Sequence, residues 1–133
     1  MKSMVLVVAA AGLVVVTGDV LRICQNVEKA DEIVCHHVHN PTIANRDRVF
    51  TDMKAYIAAL PPLLEALKAD KDRTIEVCKD LLQLGTSRFM NIQYDYDHLV
   101  KGFNWTDDDM NTYRDLRDDT LTEWVKMEPF IFE

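Results

Sequence analysis

Turn-forming residues are scarce in this chain. It holds four glycines and four prolines, and its serines are Ser3 and Ser87. A β-sandwich or barrel of this length needs a turn signal roughly every 8 to 12 residues, so all-β architecture is excluded. Excess positive charge is also missing, with 15 Lys and Arg against 22 Asp and Glu. A nucleic-acid partner requires a basic surface that displaces counterions from phosphates, and this composition lacks one. The same sign argues against docking on an anionic membrane surface. Low-complexity tracts, internal repeats and flexible linkers are absent as well.

One long apolar run is present, Met4 to Val16, preceded by Lys2 and followed by Thr17-Gly18 before Asp19. A basic start, a short apolar stretch and small residues at a cut describe a secretory signal. Thirteen residues fall short of the roughly 20 that span a bilayer. The expectation is therefore a signal peptide over 1–18, no membrane span, and a single secreted domain over 19–133. Cleavage removes one of the 15 basic residues and none of the 22 acidic ones, leaving a net charge of −8.

Apolar spacing predicts four amphipathic helices. The first carries Val20, Ile23, Cys24, Val27, Ala30, Ile33, Val34 and Val38. The second carries Val49, Phe50, Met53, Tyr56, Ile57, Leu60, Leu63, Leu64 and Leu67. The third runs Ile75, Cys78, Leu82, Gly85, Phe89, Ile92, Tyr96, Leu99, and the fourth Met110, Tyr113, Leu116, Thr120, Leu121, Trp124. Each is a helical period with one buried stripe, and none alternates as a strand does. Asn40-Pro41 separates the first two segments, Asp70 offers an N-cap to the third, and Gly102 marks its end. Thr106 caps the fourth, with Asp107, Asp108 and Asp109 at the positive end of its dipole. Pro61-Pro62 predicts a kink or restart, and Pro129 an end to the fourth helix. The fold class expected is all-α, a four-helix antiparallel bundle whose third helix is central.

Three cysteines are an odd number for a secreted chain. Cys24 and Cys35 share one helix and lie about 16 Å apart along it, beyond the reach of a disulfide. Cys78 is the partner of one of them. With the first and third helices parallel, Cys24–Cys78 matches in height, and Cys35–Cys78 is the alternative. Cys35 is then a free thiol or a bridge to a second chain, which would make a homodimer.

Cys35-His36-His37-Val38-His39 is the densest polar constellation. Only Cys35 and His39 share a helix face, which gives two ligands where closed zinc needs four, so no metal is expected. Asp107, Asp109, Asn111, Asp115 and Asp118 copy a calcium loop's spacing. Thr112 stands where that loop needs glycine, and the apolar stripe makes the segment a helix. Asn104-Trp105-Thr106 is an N-glycosylation sequon. Catalytic signatures and cofactor motifs are absent, so the chain reads as non-enzymatic with no cofactor.

Two binding functions are expected. One is a carrier of a small hydrophobic ligand, its cavity lined by Phe50, Met53, Tyr56, Phe89, Tyr96, Met110, Tyr113 and Trp124. The alternative is an extracellular protein ligand or effector that meets a receptor or host protein through its acidic last helix. There the tail Phe130-Ile131-Phe132 is either a plug for the bundle's end or a contact.

Overall fold

A computed structural model describes the backbone of residues 2–91 and 96–132 and the side chains of residues 20–90 and 96–132. The expected signal segment, 1–18, thus lies outside the described side chains. The described residues are helical, with no strand among them. In chain order they form α1 (Lys2–His39), a 3-10 turn (Ile43–Asn45), α2 (Arg48–Ala69), α3 (Lys71–Val77) and α4 (Lys79–Leu84). Three more follow: α5 (Arg88–Asn91), α6 (Tyr96–Phe103) and α7 (Asp107–Ile131).

The four expected stretches run with alternating sense. His37 near the end of α1 meets Asp52 near the start of α2, so these two are antiparallel. Cys24 pairs with Cys78 and Asp31 with Arg88, so the third stretch runs parallel to α1. Arg46 meets Asp109 and Tyr56 meets Trp124, so α7 follows the direction of α2. α2 holds the central place, packing on α1, α3 and α7. It can do so because one of its faces is almost wholly apolar and buried: Val49, Met53, Tyr56, Leu60, Leu63, Ala66 and Leu67.

The third stretch is not the central rod that its rhythm predicts. It is divided at Cys78, whose φ of −105° and ψ of 29° leave the helical region, and at Gly85, whose φ is +71°. Glycine reaches that left-handed conformation without a Cβ clash.

Three prolines behave differently from expectation. α2 continues through Pro61 and Pro62, both on its exposed face. An interior proline costs about 3 kcal/mol, but each buried leucine around the pair contributes about 1.5–3 kcal/mol. Leu60, Leu63 and Leu67 together outweigh the missing bonds. α7 likewise passes Pro129 and ends at Ile131.

Gly102 is not the terminator of the third stretch. It lies inside α6, where a Cβ would sit 2.6 Å from Pro41 Cβ and 2.7 Å from the Pro41 carbonyl oxygen. The left-handed residue is Asn104, with φ of 56°, and Trp105 N–H donates to the Val100 carbonyl at 3.0 Å, a Schellman closure. Two caps stand where the sequence places them. Asp70 accepts from Arg73 N–H at 3.2 Å. Thr106 and Asp109 exchange bonds in a capping box, Asp109 N–H to Thr106 Oγ1 at 3.2 Å and Thr106 N–H to Asp109 Oδ2 at 2.9 Å.

Candidate functional site

The expected cavity lining is mostly core. Met53, Tyr56, Phe89, Met110, Tyr113 and Trp124 are buried members of the main apolar cluster, and Phe50 packs against it half-buried. They meet one another: Tyr56 and Phe89 edge to face at 5.3 Å between ring centres, and Trp124 Nε1–H donating to Tyr56 Oη at 2.8 Å. Burial pushes the Tyr56 hydroxyl well above its usual pKa. Trp105 stacks between Phe50, at 5.2 Å, and Phe103, at 4.6 Å. Tyr96 is the exception; it is 38% exposed, with the Arg114 guanidinium 5.2 Å over its ring and Arg117 donating to its hydroxyl at 3.0 Å.

The disulfide joins Cys24 and Cys78, whose Cα atoms are 5.7 Å apart. Cys35 is free of it and half-buried. Burial first, and then the Asp31 carboxylate beside it, push its thiol pKa up to about 11. A thiol of that kind carries little thiolate at neutral pH.

The histidine cluster disperses. His37 is buried, with Nδ1 2.7 Å from Asp52 Oδ2, whereas His36 and His39 are exposed. Among the described residues no group of three or more His, Cys, Asp or Glu side chains could hold a metal ion. The acids from Asp107 to Asp118 belong to α7 and form no loop.

Sequence reasoning missed Asp31, which is buried. Its carboxylate accepts from Arg88 N–H at 2.7 Å and Phe89 N–H at 3.2 Å, capping α5 from across the fold. The signal was available: Asp31 falls on the same stripe as Val20, Cys24, Val27, Val34 and Val38. A lone carboxylate at a core position must find donors.

The outer side of α7 carries a second, exposed apolar row. Leu121 is 49% exposed, Val125 50% and Phe132 64%, and Pro129 is exposed between them. The spacing of Leu121, Val125 and Pro129 places them along one helical face, and Phe132 follows as the C-cap. α7 as a whole holds eight acidic and three basic residues. Phe130 and Ile131 pack half-buried on the core, while Phe132 reaches back so that its ring lies over Gly85. The tail thus divides its aromatic residues between a plug and a surface. Beside it, Ile75, Leu82, Ile131 and Phe132, rimmed by Glu76 and Lys79, line an open groove of about 380 Å³.

Asn104 is exposed in the turn before α7, and Thr106 of its sequon also supplies the N-cap. Among the described residues no helix is long and apolar enough to cross a membrane. The chain matches no protein-family model, no curated protein and no solved structure.

Proposed function

We propose that this is a secreted, non-enzymatic binding protein, released by cleavage after Gly18, whose working surface is the outer face of α7. The observation that carries this reading is the exposed row Leu121, Val125 and Pro129 on a helix with an excess of acids. Apolar side chains left in water along one helix face cost stability that a partner would recover. The fitting partner is an extracellular protein that presents a basic, apolar helix, its cations meeting the carboxylates and its apolar side chains covering the row.

Expression of the full chain in a eukaryotic secretory cell line tests the first half. The protein should reach the medium with Asp19 as its first residue, and treatment with peptide N-glycosidase should remove a glycan from Asn104. An intact amino terminus retained in the cytosol ends the secretion reading. The second half is tested with a synthetic amphipathic Lys/Leu helix as probe. Leu121→Glu/Val125→Glu adds negative charge, so purely ionic attraction would tighten. The proposal requires binding to weaken by about tenfold or more.

The carrier reading has one observation in its favour, the apolar groove beside Phe132. A small hydrophobic molecule laid there would be held at the surface of the bundle rather than in its packed interior. Native mass spectrometry of the secreted protein, with fluorescent fatty acid displacement, separates the two. Displacement lost in Phe132→Glu, at an exposed position of the groove, but kept in Leu121→Glu/Val125→Glu supports a carrier.

A further inference from the structure

A different cleft opens between α1 and the start of α2. Its walls are Lys29, Glu32, Ile33, His36, His37 and Arg48, and its volume is about 660 Å³, within the roughly 300–1,000 Å³ range of small-molecule sites. Lys29, Ile33 and His36 stand at helical spacing on one face of α1, and Arg48 is the first residue of α2.

The charge of this lining runs against the rest of the molecule. In a chain of net charge −7, it gathers two full cations and two imidazoles against the single carboxylate of Glu32. Neither Lys29 nor Arg48 belongs to an ion pair among the described residues. Asp52, one turn beyond Arg48 on α2, is engaged by His37 at 2.7 Å. Asp47, the N-cap of α2, pairs with Arg46 at 3.7 Å. Ile33 is 39% exposed between these groups, an apolar surface framed by positive charge.

We propose that this cleft binds a small amphipathic organic acid. Its carboxylate is held by Lys29 and Arg48, with His36 at the rim, and its hydrocarbon body covers Ile33. A metal cation is repelled by the same groups. A bare inorganic anion would satisfy the cations but leave Ile33 in water. An uncharged apolar molecule would cover Ile33 and leave both cations unpaired. The site is on α1 and α2, so it stands apart from the α7 surface and does not depend on it.

Isothermal titration of the folded protein at low ionic strength with sodium decanoate, decanol and inorganic phosphate tests the assignment. Decanoate should bind at one equivalent, with decanol and phosphate each weaker by about tenfold or more. Lys29→Glu/Arg48→Glu, two exposed positions, should weaken decanoate by at least about tenfold while circular dichroism stays unchanged. Lys79→Glu, in the groove beside Phe132, should leave decanoate binding unaltered. The proposal is overturned if decanoate does not bind, if decanol or phosphate binds as well, or if the double charge reversal has no effect. Equal loss in Lys79→Glu also overturns it, by moving the ligand to the other groove.

Discussion

The carboxylate of Asp31 on α1 holds the backbone N–H of Phe89 at 3.2 Å, and that of the preceding residue, Arg88, at 2.7 Å. One buried side chain thus supplies the N-terminal cap of a helix 57 residues further along the chain. α5 has only four residues, too few to persist alone, so its place depends on this contact and on Phe89 in the core.

Asp31→Asn should destabilise the protein by about 1–3 kcal/mol at neutral pH. The amide has one acceptor oxygen for two N–H groups, which leaves one buried donor unsatisfied. The pH dependence has a definite sign. Burial is the largest influence on the Asp31 carboxyl and raises its pKa above the ordinary 3.8, against the opposing pull of its N–H bonds. A group that binds its proton more tightly when folded contributes fully below its unfolded pKa, and that contribution is lost as pH rises through the folded value. Urea denaturation at several pH values should therefore show the advantage of the native residue over Asn shrinking from pH 3.8 upward. A widening gap would mean that the N–H bonds outweigh burial.

Cys35 should be slow to modify. With its pKa pushed up to about 11 from an ordinary 9.0, its thiolate fraction at pH 8 is roughly 100-fold below that of an unhindered cysteine. Kinetics of a thiol-specific chromogenic reagent on the native protein check this. Denaturation without reductant should release one reactive thiol per chain, and two unequal populations or none would indicate cross-linked molecules.

The disulfide between Cys24 and Cys78 closes a loop spanning 54 residues. Replacing both with alanine should remove about 4 kcal/mol in the chain-entropy account. Chemical denaturation of the double variant, compared with the disulfide-intact native protein, measures it. A loss below about 1 kcal/mol would mean that the denatured chain is already held together elsewhere.

The two glycines with tight neighbours should differ in sensitivity. Gly102→Ala places a Cβ against Pro41, including its backbone carbonyl, which cannot move without shifting the α1–α2 connection. A cost of about 1–3 kcal/mol or more follows from overpacking. Gly85→Ala pays the left-handed strain of about 1–2 kcal/mol, but its close neighbour is the exposed Phe132 ring, which can swing aside. Thermal melts should rank Gly102→Ala the less stable.

Much of the fold was legible because the apolar stripes of the first, second and fourth segments keep their helical period, in the second even across Pro61-Pro62. Helix direction favoured Cys24–Cys78 over Cys35–Cys78, and the structure pairs the former. The third segment misled because its period of three and four continues across Gly85-Thr86-Ser87. Periodicity reports which residues face inward, and it does so equally for a broken helix whose pieces stay aligned. Gly102 was misread for a related reason: a glycine near a helix end can serve packing, and here Asn104 serves the turn. The α7 row could be read only in part, since Leu121 belongs to the stripe by spacing but sits at its outer edge. The cleft beside Arg48 was not legible at all. Lys29 and Arg48 come from different helices, and their nearness depends on how α1 and α2 pack.

The placement of the two tryptophans gives the protein a built-in optical readout. Trp105 is sandwiched among aromatic rings where α6 hands over to α7, whereas Trp124 is tethered to Tyr56 in the middle of α2. Emission from a chain with either indole replaced by phenylalanine would follow one neighbourhood at a time. Loosening at the corner could then be told apart from collapse of the interior without attaching any dye.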